Sequence, residues 1–290
     1  MSERYGEITE RIEAVRQLGS VVNVMRGTAG ARAARAREGL GAVRDHAAVL
    51  ADAIRRVLTQ LPEPLPGAER SAGGMARVVF GAEQGFVGGF TERILDALAE
   101  APEGGSLLLV GRRAAVIAAE RGIVPVWQDA MPFHVSGIPA LADRIVDALF
   151  RLVAAGGIER LEAVWASGGA PGGPGPPVQR RQLFPLRPDA FADGGRGRRL
   201  LLYRRPELLL QDLTEEHVHA QLCDIALRAF AAENEARMAV MTAAHRQVDR
   251  RMEELLAERR QLRQEEITAE IIELSTGILG SGRSAGRSHE

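Results

Sequence analysis

With 290 residues, 46% of them hydrophobic, and a formal net charge of −1, the chain has room for one large domain or two ordinary ones and no global field for nucleic acid or an anionic membrane. Its one cysteine, Cys223, excludes an intrachain disulfide and a cysteine-rich metal site, and its 4% aromatics beside abundant alanine, leucine and arginine point to long helices with narrow contacts. All 37 basic residues are arginine, which fits a GC-rich coding sequence and also suits bidentate pairing.

Residues 1–61 form the first predicted element, a helix that meets no proline before Pro62. Ile8, Ile12, Val15, Gly19 and Val22, then Ala29, Ala33, Ala36, Leu40, Val43, Ala47, Leu50, Ile54, Val57 and Leu61 recur at steps of four and three. The pattern breaks only at Arg26, with Met25 beside it. This is a heptad seam, bulky at its ends and almost all alanine and glycine in the middle, where helix axes can approach closely. At 1.5 Å per residue the helix would run roughly 80 Å.

Residues 75–205 change period. A strand over 75–82 leads into the glycine-rich turn Gly85-Phe86-Val87-Gly88-Gly89, followed by a helix over 91–101. A strand over 107–110, a helix over 112–121, a strand over 123–127, a helix over 138–155 and a strand over 161–166 come next. Strands alternating with helices of this length imply a small α/β domain on a largely parallel sheet. The run 168–177 (GGAPGGPGPP) reads as a flexible loop or hairpin tip, and two further strands are expected at 178–186 and 199–203.

The last element is a helix over 206–279, with Thr214 as its N-cap ahead of Glu215 and Glu216. Val218, Leu222, Ile225, Ala229, Ala232, Ala236, Ala239 and Ala243 form one seam. The apolar face then moves to Val248, Met252, Leu255 and Leu262, and again to Ile267, Ile271, Leu274 and Ile278, in the manner of stutters. Residues 280–290 read as a polar, disordered tail. Two long helices bracketing one α/β domain would bury their seams most simply against each other. The expected fold is an antiparallel coiled coil with an inserted, Rossmann-like α/β domain.

Sites of chemistry are sparse. A Walker-type phosphate loop is excluded because the chain contains no lysine. GFVGGF is not GxGxxG and reads as a turn. His217 and His219 stand two apart on a helix and do not share a face, so they do not pair on a metal. His134 and His245 read as solvated or packed, Cys223 as a packing residue, and the Glu253-Glu254 and Glu265-Glu266 pairs as solvated helix faces. No catalytic residue, metal or cofactor is expected. No apolar run approaches the ~18 residues of a membrane span, and Met1-Ser2-Glu3-Arg4 carries no signal region, so a cytosolic chain is expected.

The two ends carry a pattern. Glu233-Asn234-Glu235-Ala236-Arg237-Met238, with Met241, is followed by Arg263-Gln264, Ile267-Thr268, Glu270, Glu273 and Gly277. In order and spacing it resembles the C-terminal signature of F-type ATPase gamma subunits (sExxaRMxAM, then RQaxITxEixEIvxGa). Ile8, Arg11, Ile12, Val15, Met25 and Ala29 fall on family positions, Gly85 to Gly89 resembles GLCGG, and Leu183-Phe184-Pro185-Leu186 resembles LLPL. Ser20-Val21-Val22-Asn23-Val24-Met25 replaces KITKAM, Glu83-Gln84 replaces an acidic-arginine pair, and His245-Arg246-Gln247 a threonine-acid-asparagine block. These departures fit a divergent member and leave the alternative, sodium-associated type open.

The resemblance implies a non-catalytic rotor stalk that couples proton or sodium flow to ATP synthesis or hydrolysis. Its partners would be the F1 alpha and beta subunits, epsilon and the membrane c-ring, on the cytoplasmic face of a bacterial inner membrane. It further implies coupling contacts to beta at Arg263, Gln264, Thr268, Glu270, Arg237 and Met25. A structural coiled-coil adaptor is the competing expectation, and an enzyme with a helical dimerisation arm a third; the RQxxITxE block separates the first from both.

Overall fold

The computed structural model describes residues 2–61, 74–99, 104–155, 158–168, 177–185, 202 and 204–284. Five helices, α1 (Ser2–Leu58), α2 (Phe90–Ala99), α3 (Arg112–Glu120), α4 (Ile138–Ala154) and α5 (Pro206–Ser284), accompany five strands, β1 (Met75–Phe80), β2 (Ser106–Val110), β3 (Trp127–Asp129), β4 (Arg160–Ala166) and β5 (Val178–Phe184). The chain divides into two compact units, 1–26 with 241–290, and 27–240.

In the first unit the opening turns of α1 pack on the later part of α5. Ile8, Ile12 and Leu255 are buried together, flanked by Val15, Met252, Leu256 and Leu262. A Cβ on Gly19 would stand only 3.0 Å from Val248 Cγ1, so the small residue lets the backbone come close. Earlier residues of α1 therefore meet later residues of α5, the antiparallel sense.

The larger unit is built on a five-stranded sheet in the order β3-β2-β1-β4-β5. The first four strands are parallel, and β5 runs antiparallel to β4. Alternate residues of β1 serve opposite faces, as a pleat requires. Val79 joins Leu109 and Val164 beneath α2 and α3, through Ile94, Leu95, Ala114 and Ile117. Ala76, Val78 and Phe80 join Leu141 and Ile145 of α4 and Leu222, Ile225 and Phe230 of α5. Both faces are thus covered, and the parallel strands read as apolar runs for that reason. Ala36 of α1 belongs to the second cluster, and Ile54 and Val57 of α1 are buried with Leu210 of α5.

Every seam position predicted on α1 is buried or half-buried. The α5 seam holds from Val218 to Ala236, but Ala239 and Ala243 are exposed and Met241 is buried instead. A straight helix at 3.6 residues per turn drifts off a 3.5-residue repeat within a few turns, and the buried stripe moves with it. Thr214 is not an N-cap: α5 begins two turns earlier at Pro206, whose fixed φ and missing donor suit a first helical position. At the other end α5 continues through Gly277 to Ser284, so 280–284, expected in the tail, are helical.

The third strand lies at Trp127–Asp129 rather than 123–127, because Gly122 turns at φ 72 and Pro125 has no N–H for a ladder. The strand expected at 199–203 lies outside the described residues except for position 202, which is not a strand, and 204 opens a bend. Most of the glycine-proline run, 169–176, and the tail at 285–290 also lie outside them.

Candidate functional site

Polar groups gather at several places among the described residues. The first is the glycine turn after β1, where α5 locks onto the sheet. Glu83 is buried, and its Oε2 accepts the backbone N–H of Arg112 (3.0 Å) and of Met131 (2.9 Å). Glu233 of α5 answers from the other side: its carboxylate accepts the N–H of Glu83 (3.1 Å) and of Gln84 (3.2 Å). Arg237, one turn on, pairs with Glu233 and donates to Asn234 Oδ1 (3.2 Å), to the Gly85 carbonyl (3.2 Å) and to the Gln84 carbonyl (3.3 Å). Arg237 is 5% exposed. A buried ion pair is tolerated only where extra hydrogen bonds satisfy its remaining donors and acceptors, and this one has them. Gly111, at φ 114, is demanded by the turn, since a Cβ there would lie 2.6 Å from the Ala82 carbonyl oxygen.

This crevice is where an open α/β sheet usually takes a phosphate, at the carboxyl ends of its parallel strands and on a helix N-terminus. Here the first amide of α3 is held by Glu83, and the turn amides by Glu233. The chain's own carboxylates fill the anion positions.

The second place has the outline of a nucleophilic triad. Cys223 Sγ stands 4.0 Å from His219 Nδ1, and His219 Nε2 lies 3.0 Å from Asp143. Burial, and then the charges of Asp143 and Glu216, push the Cys223 thiol up to about 12. It stays protonated at neutral pH, and a thiol is not the nucleophilic form. Cys223 sits in the core cluster, as a packing residue should. His217 turns elsewhere, to Gln221 Nε2 at 2.6 Å, so the two histidines do not share a site. Among the described residues no three His, Cys, Asp or Glu side chains are grouped to hold a metal.

The third place is the far part of α5. Every residue from 263 to 272 is exposed. Arg263, Gln264, Thr268 and Glu270 all lie on this stretch, and Thr268 Oγ1 donates back to the Gln264 carbonyl (2.8 Å). Between them run bare apolar side chains: Ile267 is 48% exposed, Ile271 60% and Leu274 62%. Met25, in the same unit, is half-buried on α1. The structure therefore gathers four of the six predicted contact residues on one bare helix stretch. Arg237 belongs to the larger unit, with its guanidinium engaged inside the chain. Glu83, Glu233 and Asn234 were not singled out as site residues from sequence. The Glu233–Arg237 spacing of four was the available signal, but Glu83 comes from 150 residues away.

Comparison with known proteins gives one consistent result. The profile of the ATP synthase family matches residues 4–279. The chain is similar to the ATP synthase gamma chain of Beutenbergia cavernae, 27% identical over 284 residues that cover 92% of this chain and 95% of that one. It is 23% identical over 290 residues to the ATP synthase gamma chain of Geotalea daltonii, covering 93% and 96%. Among solved structures, it resembles a chain of the Euglena gracilis mitochondrial ATP synthase rotor in rotational state 1, with TM-score 0.64, 12% identity and coverage of 92% and 100%. A chain of the OSCP/F1/c-ring assembly of that synthase in rotational state 3 matches with TM-score 0.67 and 12% identity, over 100% and 98%.

Proposed function

The chain belongs to the ATP synthase family, and from that premise we propose that it is the gamma-type subunit of the rotor stalk, coupling ion flow to nucleotide turnover without performing catalysis itself. One observation carries the reading. The helix that bears the RQxxITxE block runs for 79 residues against 57 in α1, and every residue of its 263–272 stretch is exposed. A lone helix with an uncovered Ile267, Ile271 and Leu274 stripe is made for a surrounding surface. A ring of alpha and beta subunits is that surface. Arg263 and Gln264 supply polar contacts beside the apolar stripe, with Thr268 and Glu270 further along and Met25 on α1.

Coupling then works by differential contact. An asymmetric shaft presents different side chains to each beta subunit in turn, and the site conformation it contacts best becomes populated. Arginine suits a contact that must break and re-form, because its planar fork regains two hydrogen bonds at once. The seams of α1 and α5 form an antiparallel coiled coil that stiffens the shaft. Arg237 contributes from inside, by fixing α5 to the α/β domain, so that torque passes between them. The α/β domain is the foot, resting on epsilon and the c-ring, which places the subunit peripherally at a membrane. In line with this, no described helix is long and apolar enough to cross one.

The test is reconstitution with alpha and beta. Arg263→Ala with Gln264→Ala should lower ATPase turnover of the complex by tenfold or more, since a charge-assisted hydrogen bond contributes about 1.5–3 kcal/mol. Melting of the isolated subunit should not change. Wild-type turnover in the double variant would remove these residues from coupling.

A further inference from the structure

A cavity of about 340 Å³ opens in the larger unit between α1, β5 and α5. Arg44 and two alanines line it from α1, Arg181 from β5, and His217, Gln221, Asp224 and Arg228 from α5. Three guanidiniums thus meet a single carboxylate. Asp224 is 5% exposed and lies at the base of the group. Its Oδ2 accepts from Arg228 Nε (2.9 Å) and Arg181 Nη1 (3.1 Å), which holds both forks in place. Arg181 is steadied further by the Trp165 ring, 5.3 Å away. Arg44 Nε stands 3.9 Å from Asp224 Oδ1, beyond hydrogen-bonding distance, and its side chain is more than half exposed. Burial keeps His217 from adding a further charge at neutral pH.

The balance is two positive charges in excess, on planar forks already fixed by a buried anchor. Guanidinium forks match the paired oxygens of phosphate better than any other side chain does. A cavity of this size is at the small end of ligand sites, room for a compact anion rather than a large one. We propose that this pocket binds a phosphate-class oxyanion, with Arg44 as the fork that closes on it and Arg181 and Arg228 as the preset pair. The proposal stands apart from the rotor reading, because it concerns the isolated chain.

The experiment titrates inorganic phosphate into the full chain at constant ionic strength, by calorimetry and by tryptophan emission, with Trp127→Phe to isolate Trp165. Saturable binding with a change in Trp165 emission is expected. Arg44→Gln, an exposed change that leaves Asp224 anchored, should weaken binding about tenfold, the loss of one charge-assisted hydrogen bond. Arg44→Lys should restore only part of it, and Arg113→Gln, elsewhere on the surface, none of the loss should appear. A second arm floats the chain with vesicles containing phosphatidic acid, against neutral vesicles. Arg44-dependent flotation would make a lipid headgroup the source of the anion; free-phosphate binding alone would make it a soluble one. No saturation by either, or equal affinity in Arg44→Gln, would overturn the proposal.

Discussion

The side chains that matter most to this molecule are buried charges. Arg237 and Glu233 are both out of water, and neither can lose its partner cheaply. Removing one member of such a pair leaves the other charged and unsolvated, so Arg237→Ala should cost about 3–5 kcal/mol in urea unfolding of the chain. A loss below 1 kcal/mol would mean that water replaces the guanidinium and that the latch is not structural. His217 gives a second reading at this scale. Burial lowers its pKa below the ordinary 6.5, so the unfolded chain takes up the proton first as pH falls. The neutral histidine therefore contributes stability at pH 7 that declines as pH drops below about 6.5, and the decline stops at the lower, folded pKa. Unfolding midpoints measured from pH 7.5 to 5 should fall, and His217→Gln should flatten that part of the profile. An unchanged slope in the variant would assign the titration to another group.

At the scale of elements, the two long helices are shaped by residue size as much as by hydrophobicity. Ala36 is fully buried beside the α5 residues of the main core, while Ala34 on the same helix points to solvent. Ala36→Leu would force extra methylenes into a close contact and should cost about 1–3 kcal/mol. Ala34→Leu should stay within about 0.5 kcal/mol of the parent. Paired thermal melts of the two variants check this, and equal effects would mean that the middle of the seam has slack. The heptad on α1 was legible residue by residue, because a continuous helix with one buried stripe writes its period directly into the chain. The α5 pattern was legible up to Ala236 and then misleading at Ala239 and Ala243. Alanine is tolerated on either face, so it marks a seam weakly once the stripe begins to drift. The start of α5 was legible at Pro206, but its cap was not: Thr214 is a good cap by type, yet it lies two turns inside a helix that Pro206 already opens.

For the molecule as a whole, the sheet supplies a nucleotide-type scaffold whose anion positions the chain occupies with its own carboxylates. The purified chain should therefore release no phosphate from ATP. It has no lysine to reach the phosphates, and Glu83 and Glu233 hold the amides that would cradle them. Turnover that follows the chain through every purification step would refute this and the rotor reading together. By itself the sequence determined the order of helices and strands among the described residues, the parallel character of the sheet, the seam of α1 and the motif at the end of α5. Those features depend on local period, proline placement and near-neighbour spacing, all of which are written along the chain. Only the tertiary structure decided that Glu83 meets Arg112, that Glu233 and Arg237 close the glycine turn, and that Arg44, Arg181 and Arg228 converge on Asp224. Each of these joins residues from separate elements, and a periodic pattern says which face is buried but not which partner covers it.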